Sequence, residues 1–350
     1  MPKTALVAGA TGATSKRLLE ALAADPDWSM VGLSRNPPEG SGQLSFVAAD
    51  MSDPESCKRA LRDCGEITHI FYTARAKHGE TAVESVEDNV ALLRNVLDAV
   101  EPIARNLRHV NIVQGGKYYG QHLGPFPTPA REEDSRHMPP NFYFDQQDLL
   151  VERQRGRKWS WSTARPDFVC DFAPGRGRNI ISIIGTFAAI AKELGLPLDF
   201  PGARGCFDTL KQATDATQLA RAMVHIATSP TGANQAFNVT NGDIFRWKQL
   251  WPKIADHFGM KTGAVRTLKM SEWMADKEPV WQRVVKRYGL KPQPLANVAL
   301  WAYADSQLSQ DYDVITSTTK LRRAGFHDVI DTEEMFIAHL NSYREAKILP

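Results

Sequence analysis

Cysteine is scarce in this chain, long apolar runs are short, and neither sign of charge dominates. The four cysteines, Cys57, Cys64, Cys170 and Cys206, show no Cys-x-x-Cys or Cys/His ligand spacing. This argues against a disulfide framework or a metal site and for reduced thiols. The longest apolar run, IISIIGTFAAIA at 180–191, is too short to span a bilayer. With 42 Lys and Arg against 40 Asp and Glu, the formal net charge is +2. That balance gives no electrostatic reason to expect nucleic acid or a membrane as partner. The start of the chain runs straight into TALVAGA, without a basic segment, a long apolar segment or a small-residue cleavage site. The expected location is therefore the cytoplasm.

What is present is the composition of an ordinary globular chain, 350 residues with 43% hydrophobic, enough for a large core. In the first half, short strand-like runs alternate with longer amphipathic ones. TALVAGA (4–10), SMVGLSR (29–35), LSFVAAD (44–50), THIFYTA (68–74) and RHVNIVQ (108–114) read as strands, and WSWSTARPDFVCDF (159–172) resumes as another. After the first strand, Leu18, Leu19, Leu22 and Ala23 form a helical stripe. Between the fourth and fifth, Val83, Val86, Val90, Leu93 and Leu97 keep a helical period. Strands alternating with helices predict an α/β, Rossmann-type doubly wound parallel sheet. The expected division is a dinucleotide-binding domain over 1–171 and a smaller, mostly helical substrate portion over 172–350, with about 211–240 returning to the sheet. The proline-rich stretch GPFPTPAREEDSRHMPP (124–140) reads as a loop of functional length.

GATGATS (9–15) lies where the first strand meets the first helix. Gly9 permits a tight turn, Gly12 lets backbone approach a pyrophosphate, and Ser15 stands where the fingerprint usually has a third glycine. At the end of the second strand, Ser34, Arg35 and Asn36 include no carboxylate. A carboxylate there would repel a 2′-phosphate, whereas Arg35 can pair with one, so NADPH is preferred and NADH is the alternative. Asp50 either accepts from an adenine amine or caps the helix starting near Ser52–Glu55. The expected cofactor set is completed by Thr11, Ala13 and Thr14 in the glycine turn and by Met51, Thr73 and Ala74 beyond later strands. Gln114, Gly115, Lys117 and Tyr143 close it.

A nicotinamide-dependent short-chain reductase normally carries Tyr-x-x-x-Lys, yet in NFYFDQQDLL (141–150) Tyr143 is followed by Gln147. The pair occurs as Tyr343 and Lys347, on a C-terminal helix where Met335, Phe336, His339, Leu340 and Tyr343 share a face, so Tyr343 is expected to pack. VQGGKYYG (113–120) follows the fifth strand, at the edge where ligands bind in such sheets. Gly115 and Gly116 are read as a sharp turn that delivers Lys117. An ammonium from that turn, within about 4–6 Å of Tyr143, would favour the phenolate whichever element supplied it.

At these residues the chain resembles the progesterone 5β-reductase/iridoid synthase family of extended short-chain reductases. The likeness runs through THIFYTA, GGKYYGQHLGPF, NFYFDQQDLL, WSWSTARPDF, QAFNVTNGDIFRWKQLW and KEPVW. It implies that Lys117 and Tyr143 match the catalytic lysine and tyrosine. It also implies NADPH-dependent reduction of the C=C bond of an enone or enal, and a homodimer. Where the plant enzymes carry Trp, this chain has Arg75, which with Phe126 and Phe172 is expected to border the substrate. A cation there suits an anionic substrate group or pairs internally. The family's second arginine at the 2′-phosphate is Asn36, and its second tyrosine is Phe144. The alternatives are a carbonyl reductase or alcohol dehydrogenase, an epimerase-like enzyme, or a non-catalytic NADP(H) sensor.

Overall fold

The computed structural model describes residues 2–76 and 84–350. Six strands of the first half form one parallel sheet: β1 (Lys3–Ala8), β2 (Trp28–Ser34), β3 (Leu44–Ala48), β4 (His69–Tyr72), β5 (His109–Val113) and β6 (Ser160–Pro166). The strand Gln235–Val239 adds a seventh beyond β6, and the order across the sheet is Gln235–Val239, β6, β5, β4, β1, β2, β3. Every pairing is parallel. Such strands need helical crossovers, which bury both faces of the sheet, hence strands as uniformly buried as β4. The order reverses between β1 and β4, and that switch point is where this architecture opens a crevice at the carboxyl ends.

Helix α1 (Ala13–Ala23) packs against helix Ala216–Thr228 and buries Leu18, Leu19 and Leu22. Ala23, expected on that stripe, is exposed, and Ser15 is buried in its stead. The stripe is set by the facing helix and by the floor beneath the glycine turn, and Ala23 is at the last turn beyond both. Helix α2 (Pro54–Leu61) begins at Asp53, whose carboxylate accepts from the Glu55 amide at 2.9 Å. Asp50 instead closes the preceding turn on Ser52, so it is not the cap. Helix α3 (Val86–Val100) buries Val90, Leu93 and Leu97 and is capped by Ser85. Val83 lies outside the described residues.

The stretch read as a single strand over 159–172 is broken after Pro166. Val169–Cys170 pairs separately with Thr214–Asp215. The break lets Asp167 and Phe168 leave the plane of the sheet at its carboxyl edge. The later part of the chain builds its own core around Trp251, Trp281, Phe336 and helix Ile180–Glu193. No helix among the described residues is long and apolar enough to cross a membrane.

Candidate active site

A cavity of about 300 Å³ opens at the carboxyl ends of β4, β5 and β6. The sheet contributes Thr73, Ala74 and Arg75 after β4 and Gln114 to Lys117 after β5. Asp167 and Phe168 come from the break after β6. Helix α4 (Phe142–Gln154) adds Phe142 and Tyr143, while Arg178, Tyr303 and Gln307 close the far wall.

Local chemistry explains how Tyr143 comes to this wall. Asn141 caps α4, its carbonyl oxygen accepting from the Tyr143 amide at 3.0 Å. The same side chain donates to the Lys117 carbonyl at 2.7 Å, so the helix start and the turn after β5 are tied together. Gly115 has an extended φ of 171°, a conformation any residue adopts, so no left-handed turn requires its glycine. A Cβ there would stand 3.3 Å from the Tyr143 hydroxyl. The left-handed residue of the segment is Gly120, beyond the short 3-10 turn Gly116–Tyr119.

Tyr143 is 4% exposed. Burial raises its phenol above the ordinary value, with Arg75 and Arg178 pulling down and Glu84 pushing up. The hydrogen bond to its oxygen comes from Arg75 Nη2. The expected donor was Lys117, but the Lys117 ammonium bonds the Glu84 carboxylate at 2.9 Å. Arg75 Nε reaches the other Glu84 oxygen at 3.2 Å. A buried carboxylate attracts the nearest cations, and among the described residues Arg75 lies against one Glu84 oxygen and Lys117 against the other. Asp167 is buried and its carboxyl is pushed up to about 6 by that burial, against hydrogen bonds from Gln121 and the Phe168 amide.

Gln147, at the place of the missing lysine, accepts from Arg165 at 2.9 Å. Arg165 is 1% exposed, donates to Gln114 Oε1 at 2.8 Å, and lies 3.4 Å from the centre of the Tyr118 ring. A lysine at 147 would set a second cation against this buried guanidinium, which needs acceptors.

The glycine turn lies beside this cavity, whose wall also includes Thr14. Gly9 has φ +87°, and a Cβ on it would meet the Ala74 nitrogen at 2.9 Å. The α1 N-terminus has no side-chain cap; the Gly12 amide donates to Gly9 O at 2.9 Å, while the Ala13, Thr14 and Ser15 amides have no protein acceptor among the described residues. Ser15 Oγ donates to Gly9 O at 2.7 Å and lies 2.6 Å from Thr73 Oγ1, fastening the turn where a third glycine would only make room. The buried Ser34 hydroxyl at the end of β2 has no partner among the described residues, and Arg35 and Asn36 beside it are exposed. These features fit a dinucleotide: a close-approach turn, amides without a side-chain cap, a hydroxyl orphaned among the described residues and an exposed arginine side chain at the ribose end. Arg176 adds a cation on the Thr11 carbonyl.

Two of the residues expected to border substrate are elsewhere. Phe172 packs edge-on to Tyr343 with ring centres 4.9 Å apart, in the core of the later part of the chain. Phe126 joins the aromatic cluster of Tyr118, Tyr119 and Phe144. Both are apolar side chains near enough to a core to be drawn into it. Met51 and Asp50 likewise lie away from the cavity lining, the Met51 carbonyl accepting from Asn95. The residues that sequence reasoning missed are Glu84, Asp167, Arg178, Tyr303 and Gln307. Arg178 stacks on Tyr303 at 5.0 Å. None sits in a local pattern that signals chemistry.

The PRISE-like Rossmann-fold domain matches residues 48–350. A 3-oxo-Δ4,5-steroid 5β-reductase of Arabidopsis thaliana is 33% identical over 99% of this chain and 93% of its own. An (S)-8-oxocitronellyl enol synthase of Nepeta racemosa is 31% identical over the same shares. Among solved structures, RMD from Pseudomonas aeruginosa complexed with NADPH superimposes with a TM-score of 0.67 at 17% identity, over 99% of this chain and 98% of that one. That last likeness is one of fold.

Proposed function

The chain belongs to the PRISE-like Rossmann-fold family, and from that premise we propose that it is an NADPH-dependent reductase of the C=C bond of α,β-unsaturated carbonyl compounds. Its class is that of an NAD(P)H-linked oxidoreductase. The observation that carries the finer reading is the buried Tyr143 hydroxyl, held by a guanidinium inside a cavity next to the glycine turn. The names of the two relatives point to one chemistry. A 3-oxo-Δ4,5-steroid is an enone, and an enol is what remains when hydride has joined the β-carbon of an enal and a proton its oxygen.

The dinucleotide, when bound, supplies the hydride. The chain's own residues then have one task, to stabilise the negative charge that moves onto the carbonyl oxygen as the C=C π electrons shift. Tyr143 would donate to that oxygen, and the neighbouring cations would make it a stronger donor. A proton from water at the α-carbon completes the saturated carbonyl compound. Because an enolate needs a donor but not a completed proton transfer, a buried phenol with a raised pKa is adequate. Thr14, Gln114 and Lys117 are the side chains at hand for the nicotinamide end, and Arg35 and Ser34 for the ribose phosphate.

The test is NADPH oxidation with 2-cyclohexenone followed by product analysis. Cyclohexanone supports the proposal, and the allylic alcohol would make the enzyme a carbonyl reductase. Binding of NADP+ with no turnover across a panel of enones and enals would make the protein a sensor.

A further inference from the structure

We infer that Arg75 is the cation that acts on the Tyr143 hydroxyl in this chain, and that Glu84 holds Lys117 away from the phenol and leaves it to the cofactor. The inference rests on the proposed reduction for its consequence, since it makes Arg75 and Tyr143 a paired site for the enolate oxygen. The contact itself does not depend on that reading.

The guanidinium is held in place from three sides. Its Nη2 donates to the Tyr143 oxygen, and its Nε reaches Glu84 Oε1 at 3.2 Å. Its carbon lies 5.3 Å from the centre of the Phe142 ring and 5.5 Å from that of Tyr143. A planar fork can use two edges and one face at once, which a lysine ammonium cannot. Glu84 is 9% exposed on its side chain, and its other oxygen takes Lys117 at 2.9 Å. Arg75 and Lys117 are about one-third exposed, at 35% and 32%, on the side that opens to the cavity. The two cations are thus assigned by one carboxylate. Arg75 faces the phenol, and Lys117 is held by Glu84 at the turn after β5, next to the expected nicotinamide ribose.

Arginine stays charged at every working pH, so Arg75 neither takes nor gives a proton. Its action on the reaction is electrostatic. As charge develops on the substrate oxygen, one Tyr143 O–H and one Arg75 N–H are available to meet it, both already oriented. Arg75 thereby does for Tyr143 what a lysine four residues further on would do in a Tyr-x-x-x-Lys pair, and Gln147 is free to serve Arg165.

The experiment compares Arg75→Met, Arg75→Lys and Lys117→Met by three readouts. These are kcat for 2-cyclohexenone at saturating NADPH, NADP+ affinity from tryptophan fluorescence, and the 13Cζ resonance of Tyr143 in unliganded labelled protein, assigned with Tyr143→Phe. Arg75→Met is expected to lower kcat by about 10- to 100-fold, with NADP+ affinity changed by less than about threefold. Arg75→Lys recovers part of kcat. Lys117→Met weakens NADP+ about tenfold and costs less in kcat than Arg75→Met. The Tyr143 resonance moves in Arg75→Met and stays in Lys117→Met. The reverse pattern, with kcat and the resonance governed by Lys117, overturns the inference. If the wild-type protein reduces no enone, the reading of function fails, and the resonance and NADP+ affinity still decide the inference. Should Arg75→Met lose its fold because Glu84 is left buried and short of a partner, Arg75→Gln keeps a donor without the charge and carries the same comparison.

Discussion

Two tyrosines of this chain are buried to nearly the same degree, Tyr143 at 4% and Tyr343 at 1%, and they teach opposite lessons. Tyr343 stands in the sequence pattern of a reductase and does the work of a core residue. Its hydroxyl accepts from the Ala173 amide at 3.0 Å and from Asn179 Nδ2 at 3.3 Å, both neutral, and its ring packs on Phe172. Helix Thr332–Glu345 ends before Lys347, which has φ +56° and is exposed, so the pair does not lie along one helical face. Tyr143 lacks the pattern, yet its hydroxyl meets a guanidinium in a cavity. What a buried phenol does follows from the charge of its partner and its access to a cavity, which four-residue spacing does not report.

The sharpest break of this comparison is Tyr143→Phe. It should lower kcat for 2-cyclohexenone by about 10²- to 10³-fold while leaving the melting temperature nearly unchanged. Full retained rate in a steady-state assay would remove Tyr143 from the chemistry. Next comes Gln147→Lys, which rebuilds Tyr-x-x-x-Lys around Tyr143. It should gain no activity and cost about 2–3 kcal/mol, since Arg165 loses an acceptor and gains a cation as neighbour. A thermal melt reads the loss, and a rise in rate would show that the classical spacing still has a place to work. Tyr343→Phe should cost about 1–2 kcal/mol, through an amide and a carboxamide left without their acceptor, with kcat unaltered. A large fall in kcat there would erase the contrast. Lys347→Ala should be smallest, within about 0.5 kcal/mol and with unchanged turnover, because the side chain is solvated.

The parts of the fold legible in the sequence are those written in short-range periodicity. The strands of the parallel sheet, the helix behind the glycine turn, and the buried positions Leu18, Leu22, Val90 and Leu93 all follow from spacing along one element. The break after Pro166 was not legible from periodicity, because Trp159, Trp161, Phe168, Val169, Cys170 and Phe172 spread apolar side chains over the whole stretch. Whether such a run continues in one sheet depends on the Thr214–Asp215 strand that catches Val169–Cys170. In the site, Asn141, Tyr143, Gly115 and Lys117 were visible as a cluster in sequence. Glu84, Arg178 and Tyr303 were not, since each is an ordinary polar or aromatic residue until the fold sets Arg178 and Tyr303 against the cavity and Glu84 against Arg75 and Lys117.

By itself, then, the sequence determined the doubly wound sheet, the position of the glycine turn and the tyrosine at the head of α4. Hydrophobic periodicity, turn chemistry and capping act over a few residues and need no knowledge of the rest of the chain. The tertiary structure alone decided that Arg75 and not Lys117 reaches that tyrosine, and that Gln147, at the place of the missing lysine, serves Arg165. Those choices are made by a buried carboxylate and a buried guanidinium competing for partners at close range. Coulombic and hydrogen-bonding preferences of that kind are set by ångström-scale distances between remote segments.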